Sequence, residues 1–239
     1  MTENNLAPAL NLYCLPYAGG NGYSYRPLEQ HLPPHIRLAG IELPGRGRRA
    51  GEPLLHSLEA LADDIFAQLR PHLGRQPYAL FGHSMGAALC FLCLQRIEAA
   101  GLPYPQTVFL SGKSAPSAHE KKARHLLPRD GFVDMLRDLG GCPPEILAEQ
   151  ELIDYFEPIL RADFQAVETW NPVPRPPLPV PLVVLHGRDD EVTREQALAW
   201  AKETSAGFEF HEFDGAHFFI QQHWRQIASV VGAAQAVSA

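Results

Sequence analysis

Gly82-His83-Ser84-Met85-Gly86 stands directly behind the apolar run Pro77-Tyr78-Ala79-Leu80-Phe81 and in front of a helix-forming stretch. G-x-S-x-G in that setting demands a strand that turns sharply into a helix, with the serine at the bend. The serine must hold a strained backbone conformation. Side chains two positions to either side would run into neighbouring backbone, so both places call for glycine. The helix that follows points its positive end at the serine, and its first amide is free to hold an oxyanion. Such a turn needs a sheet for its strand to belong to, and that narrows the fold before anything else is read.

The remaining pattern supplies the sheet. Short apolar runs at 10–15, 36–43, 78–81, 107–110, 180–186 and 208–213 alternate with amphipathic segments at 58–73, 85–99, 194–203 and 218–231. That alternation predicts an α/β fold, a mostly parallel central sheet flanked by helices. With 239 residues, 46% of them apolar, one undivided domain over 1–239 has material for a substantial core. Residues 113–170 break the alternation. They hold no strand-like run, only helical text at 129–139 and 144–169, and read as a helical lid inserted over the active site. The proline-rich stretch 172–181 that follows is expected to run extended.

Composition removes several classes of function. A formal net charge of -7 lacks the basic footprint of a general nucleic-acid binder. No run approaches the length of apolar sequence that spans a membrane. The first ten residues carry Glu3 and neither a basic nor an apolar leader segment, so a cytoplasmic location is expected. Cys90 and Cys93 form C-x-x-C, but amid Leu89, Phe91, Leu92 and Leu94 on the helix after the elbow they read as buried packing thiols. Cys14 falls in a strand and Cys142 in a Gly-Pro-rich turn, without an assigned role. Neither a metal nor an organic cofactor is expected.

In open α/β sheets reactive residues gather at the carboxyl ends of strands. Three such ends carry suitable chemistry in the order serine, acid, histidine, which is the order of an α/β-hydrolase. Ser84 is the first. Asp189 and Asp190 follow the apolar run 182–185, and His217 follows the run 208–213 in Asp214-Gly215-Ala216-His217. A serine hydroxyl is a weak nucleophile at neutral pH and needs a base, here His217, itself oriented by a carboxylate. Asp190 is the preferred carboxylate and Asp189 the alternative, since adjacent side chains point in different directions. His83 is expected to support the turn, and His186 precedes the acid loop, the wrong order for the base. An oxyanion site needs two donors: the backbone N–H of Met85, and that of Ala18 in the glycine-rich loop Pro16-Tyr17-Ala18-Gly19-Gly20-Asn21-Gly22. That loop lacks the lysine and spacing of a phosphate-binding loop.

Further segments carry a resemblance, and those at 15–20, 43–49 and 160–164 are far more specific than the elbow or the histidine. Leu15-Pro16-Tyr17-Ala18-Gly19-Gly20, Leu43-Pro44-Gly45-Arg46-Gly47-Arg48-Arg49, His125-Leu126-Leu127-Pro128, Leu160-Arg161-Ala162-Asp163-Phe164 and Gly215-Ala216-His217-Phe218-Phe219 are spread over nearly the whole chain. In these the chain resembles the type II thioesterases that accompany non-ribosomal peptide and polyketide synthases. It departs from their usual pattern at Lys113-Ser114, where paired arginines are common, and at Trp170, where tyrosine is more usual. The resemblance implies a hydrolase that frees aberrant or stalled acyl groups from the phosphopantetheine arm of a carrier protein; a monomer is expected. A medium-chain acyl thioesterase or a general carboxylesterase would use the same triad, and an inactive hydrolase scaffold would keep it as a relic. Two basic clusters are candidates for docking an acidic carrier: Arg46, Arg48 and Arg49, or Lys121, Lys122 and Arg124.

Overall fold

The computed structural model describes residues 10–142 and 144–236. Six strands, β1 (Leu10–Leu15), β2 (Ile36–Gly40), β3 (Tyr78–His83), β4 (Val108–Ser111), β5 (Leu182–Gly187) and β6 (Phe208–Phe213), form one sheet in the order β2-β1-β3-β4-β5-β6, and all five pairings are parallel. Parallel strands need covered crossovers, so both faces are buried and the strands read as near-continuous apolar runs. The faces separate by strict alternation. Tyr13, Leu15, Leu80, Val108, Leu110, Leu182 and Val184 enter one core, and Leu12, Cys14, Ala79, Phe81, Phe109, Val183 and Leu185 the other.

Among the described residues eight α-helices flank the sheet: α1 (Arg26–Glu29), α2 (Leu58–Leu69), α3 (Met85–Ala99), α4 (Arg129–Leu139), α5 (Pro144–Ala148), α6 (Gln150–Glu168), α7 (Arg194–Leu198) and, after the last strand, α8 (Trp224–Ala236). Helices α2 and α3 cover the first core, where Leu58, Leu61, Ile65 and Leu69 of α2 recur at the spacing of one helix face. Ser57 opens α2 by accepting from the Ala60 amide. Helix α8 buries Ile227, Ala228 and Val231 against the second core. Among the described residues no strand of the sheet lies between β4 and β5, and helices α4, α5 and α6 occupy the segment expected to be helical. They enclose a small core of their own around Phe132, Leu136, Leu147 and Phe164, against which Ala18 and Leu160 pack.

Several boundaries differ from the sequence expectation. Strand β2 ends at Gly40 rather than residue 43, and Gly40 itself lies so close to the Gly22 backbone that a Cβ would overlap it. The helix expected at 58–73 stops at Leu69, and the one expected at 144–169 is broken at Glu149, which is extended. The segment 194–203 is helix α7 followed by a 3-10 turn, and 218–231 begins as a 3-10 turn before α8 starts at Trp224. Residues 172–181 carry only an isolated bridge, Leu178 to Thr204.

Sheet order places the site. The chain steps from β1 outward to β2 on one side, while β3 leads to β4, β5 and β6 on the other. The loops leaving β1 and β3 therefore diverge and open a crevice at the carboxyl edge. The glycine-rich loop after β1 and the serine after β3 face each other across it.

Candidate active site

Ser84 is the N-cap of α3 with φ 54 and ψ -116, and among the described residues it is the one non-glycine with positive φ. Such a conformation costs on the order of 1–3 kcal/mol and persists only where surroundings force it. Here they do. A Cβ on Gly82 would overlap the Gly86 carbonyl, and one on Gly86 would overlap the Leu15 carbonyl, so β1, β3 and α3 meet at backbone distance. The Ser84 amide donates to Ser111 O at 2.7 Å, pinning the bend to β4. Behind it Tyr25 Oη accepts from the His83 amide at 3.1 Å and donates to Leu15 O at 2.9 Å, joining β3 to β1.

Ser84 Oγ donates to His217 Nε2 at 2.9 Å, and His217 Nδ1 donates to Asp190 at 3.0 and 3.1 Å to its two oxygens. That pairing fixes the tautomer with its proton on Nδ1 and leaves Nε2 as the acceptor. The Asp190 side chain is fully buried and also accepts from the Val192 amide at 3.2 Å. Asp189 is exposed, so the acid loop turns Asp190, not its neighbour, onto the histidine. His83 is fully buried behind the site, with Nδ1 2.9 Å from Ser111 Oγ and its ring 5.1 Å from that of His217. Burial, then the adjacent His217, hold His83 well below the usual imidazole range, so it packs there as a neutral group. His186 stacks on Phe210 at 5.9 Å, away from the serine.

Ser84, Met85, Ala18 and His217 line one cavity of about 230 Å³. Among the described residues neither the Met85 nor the Ala18 amide has a protein acceptor, which leaves both free for a ligand oxygen. One wall is apolar and comes from the helices between β4 and β5, through Leu136, Leu139, Ile146, Phe156, Leu160 and Phe164. The other is polar. There Lys122 and Arg124 share Glu191, whereas Lys113 forms no salt bridge among the described residues. Burial, then the Lys122 charge, bring Lys113 down to about 8. Burial followed by the Lys113 charge brings the nearby His119 to about 4.

The arginines of Leu43-Pro44-Gly45-Arg46-Gly47-Arg48-Arg49 do not form a docking face. Arg46 is buried and makes a bidentate ion pair with Asp163 of α6 at 2.5 and 2.7 Å. Arg49 is held by Glu52 and Asp64, which leaves only Arg48 exposed. In the second cluster Lys122 and Arg124 are occupied by Glu191. Asp163 stands in a family-marking segment of the sequence but had no expected role. One signal was available: Ile159, Ala162, Asp163 and Ala166 share a helix face, and a carboxylate on a buried face requires a cation. Cys14, Cys90 and Cys93 are buried, and burial pushes Cys93 up to about 12, as suits packing thiols.

The sequence model of the thioesterase domain family matches residues 10–234. A probable cadicidin biosynthesis thioesterase of Streptomyces griseus is 38% identical over 218 residues, covering 91% of this chain, which spans 60% of that relative's length. Among solved structures, the RedJ thioesterase of the prodiginine pathway in Streptomyces coelicolor superposes with a TM-score of 0.90 at 33% identity, covering 96% of this chain and 91% of its own. The type II thioesterase BorB of the borrelidin biosynthetic cluster gives 0.87 at 34% identity, covering 97% and 94%. A family match over nearly the whole length, together with full-length likeness to these structures, shows that the chain belongs to the thioesterase family, in the type II group that BorB represents.

Proposed function

We propose that this chain hydrolyses acyl thioesters carried on the phosphopantetheine arm of carrier-protein domains, releasing aberrant or stalled acyl groups from a polyketide or non-ribosomal peptide synthase. The observation that carries the proposal is the unbroken relay from Asp190 through His217 to Ser84, placed on the wall of a half-apolar cavity in a chain of this family. Ser84 Oγ attacks the thioester carbonyl as His217 Nε2 takes its proton, and buried Asp190 stabilises the imidazolium. The Met85 and Ala18 amides hold the developing oxyanion. The thiolate leaves and takes up the proton from His217. Water then enters, is activated by the same nitrogen, and releases the acid from Ser84. The reaction draws on no cofactor of this chain, because the acyl group arrives on its partner's prosthetic arm. A monomer suffices, since every group named comes from one chain.

Hydrolysis of acetyl and longer acyl-phosphopantetheinyl carrier proteins, beside a matched small oxygen ester, tests the proposal. Faster Ser84-dependent release from short acyl-carrier proteins is expected. Equal or better cleavage of the oxygen ester would assign a general carboxylesterase, and a strong preference for longer chains a medium-chain acyl thioesterase. No turnover, with no labelling of Ser84 by a fluorophosphonate, would leave only a binding scaffold.

A further inference from the structure

The ion pair between Arg46 and Asp163 does more than neutralise two buried charges. Asp163 Oδ2 also accepts from the Gly19 amide at 2.8 Å, and Arg46 reaches the Gly20 carbonyl at 3.4 Å. Gly19 and Gly20 directly follow Ala18, which lines the cavity beside Ser84 and whose amide has no protein acceptor among the described residues. The loop is thus gripped at one donor and one acceptor by a rigid, bidentate pair whose carboxylate side chain is fully buried. Bidentate charge-assisted bonds fix direction as well as distance. Gly19 has φ 76, and a Cβ there would lie 2.6 Å from Leu160 Cδ2, so α6 also presses on the same residue sterically. Ala18 packs against the core of the lid helices.

Resting on the assignment of Ser84 and Ala18 made above, we propose that Asp163 and Arg46 are positioning residues for the oxyanion site. Asp163 belongs to α6, which also supplies Leu160 and Phe164 to the apolar wall of the cavity. Seating α6 therefore encloses the acyl chain and aims the Ala18 amide in one event. The thioester carbonyl meets both donors only when the helix that covers its acyl chain is in place. Segment 43–49 contributes the arginine, segment 160–164 the aspartate, and segment 15–20 the loop that the two hold.

Removing one charge alone would leave the other buried and unpaired, which threatens folding. The decisive variant is therefore the double exchange Arg46→Met/Asp163→Leu, which replaces the pair with apolar side chains of similar volume and leaves the Gly19 amide without its acceptor. For this variant kcat is expected to fall about 10- to 100-fold on acetyl and on longer acyl thioesters alike, because a displaced oxyanion donor acts on every substrate. KM should move little. The affinity of a trifluoromethyl ketone, which forms a tetrahedral adduct on Ser84, should fall in step with kcat/KM, and the pH profile should keep its midpoints, since the triad is untouched. Arg46→Lys keeps both buried charges and part of the grip, and should fall between wild type and the double variant. It carries the test if that variant does not fold. Wild-type kcat in the folded variants, or a loss confined to KM for long acyl chains, would overturn the proposal. Ser84→Ala separates the two claims: if it is inactive while the pair variants are fully active, only the positioning role fails, and if it is active the site itself is misassigned.

Discussion

Replacing Gly82 with alanine probes how tightly the bend around Ser84 is tied to its catalytic geometry. The added Cβ would lie 2.6 Å from the Ala87 amide nitrogen and nearer still to the Gly86 carbonyl, whereas real Cβ atoms stay beyond 3.0 Å. Relief requires the start of α3 to move away from β3 by about 1 Å merely to bring the Gly86 carbonyl out to the 3.0 Å limit. No flexible side chain can yield, because every neighbour named is backbone. Overpacking of this kind should cost about 2–4 kcal/mol of stability. The same displacement carries the Met85 amide away from the carbonyl it must meet, and a 1 Å misplacement is worth about 100-fold in rate. Urea unfolding gives the first quantity, and thiol release from an acetyl-pantetheine thioester gives the second. Gly51→Ala is the control, since no atom lies within 4 Å of its added Cβ. A folded Gly82→Ala protein with wild-type kcat/KM, whatever its stability, would refute the claim that close backbone packing fixes the oxyanion donor.

Asp190→Asn should lower kcat by about 10⁴-fold by losing the tautomer that leaves Nε2 free, while exposed Asp189→Asn should stay near wild type; equal kinetics for the two variants would contradict the assignment. Gly131→Ala, in α4 with open space around the new Cβ, should add about 0.5–1 kcal/mol of stability and leave kcat unchanged, as calorimetry and the same thiol assay will show. Lys113→Met should stabilise the fold at pH 7. The folded lysine, held at about 8 against 10.5 when unfolded, binds its proton less well, so wild-type stability rises with pH between those values. The full shift is worth about 3 kcal/mol, reduced to about 1–2 by water in the cavity, and the variant's advantage should fade by pH 10.5. A Met variant less stable at pH 7 would mean that the ammonium has a partner.

Strands and triad were legible in the sequence for the same reason. A strand covered on both faces writes itself as an apolar run, and the chemistry sits immediately after the run, as with Ser84 after β3, Asp190 after β5 and His217 after β6. The choice between Asp189 and Asp190 was not fully legible, because it depends on how one turn rotates; backbone bonds from Asp189 N to Gly215 O and from Asp190 N to Gly187 O decide it. Element ends were blurred wherever burial outlasts regular secondary structure. Ile41 and Leu43 are buried although β2 has ended, and Leu73 is buried beyond the end of α2, so hydrophobicity alone overruns the boundary. The Arg46–Asp163 pair was out of reach of local reading, for its partners are 117 residues apart and an arginine amid arginines reads as solvated surface. Only the apolar surroundings of Asp163 on its helix face signalled a hidden partner.

In the proposed reaction every acyl group is held for a time on Ser84. Rapid quenching during turnover of an acetyl-carrier protein, followed by mass analysis of the peptides, would catch it there. One acetyl group on the peptide containing Ser84, absent from Ser84→Ala and longer lived in Asp190→Asn, is the predicted result. Product release with no acyl group ever found on that peptide, or continued hydrolysis by Ser84→Ala, would contradict the account.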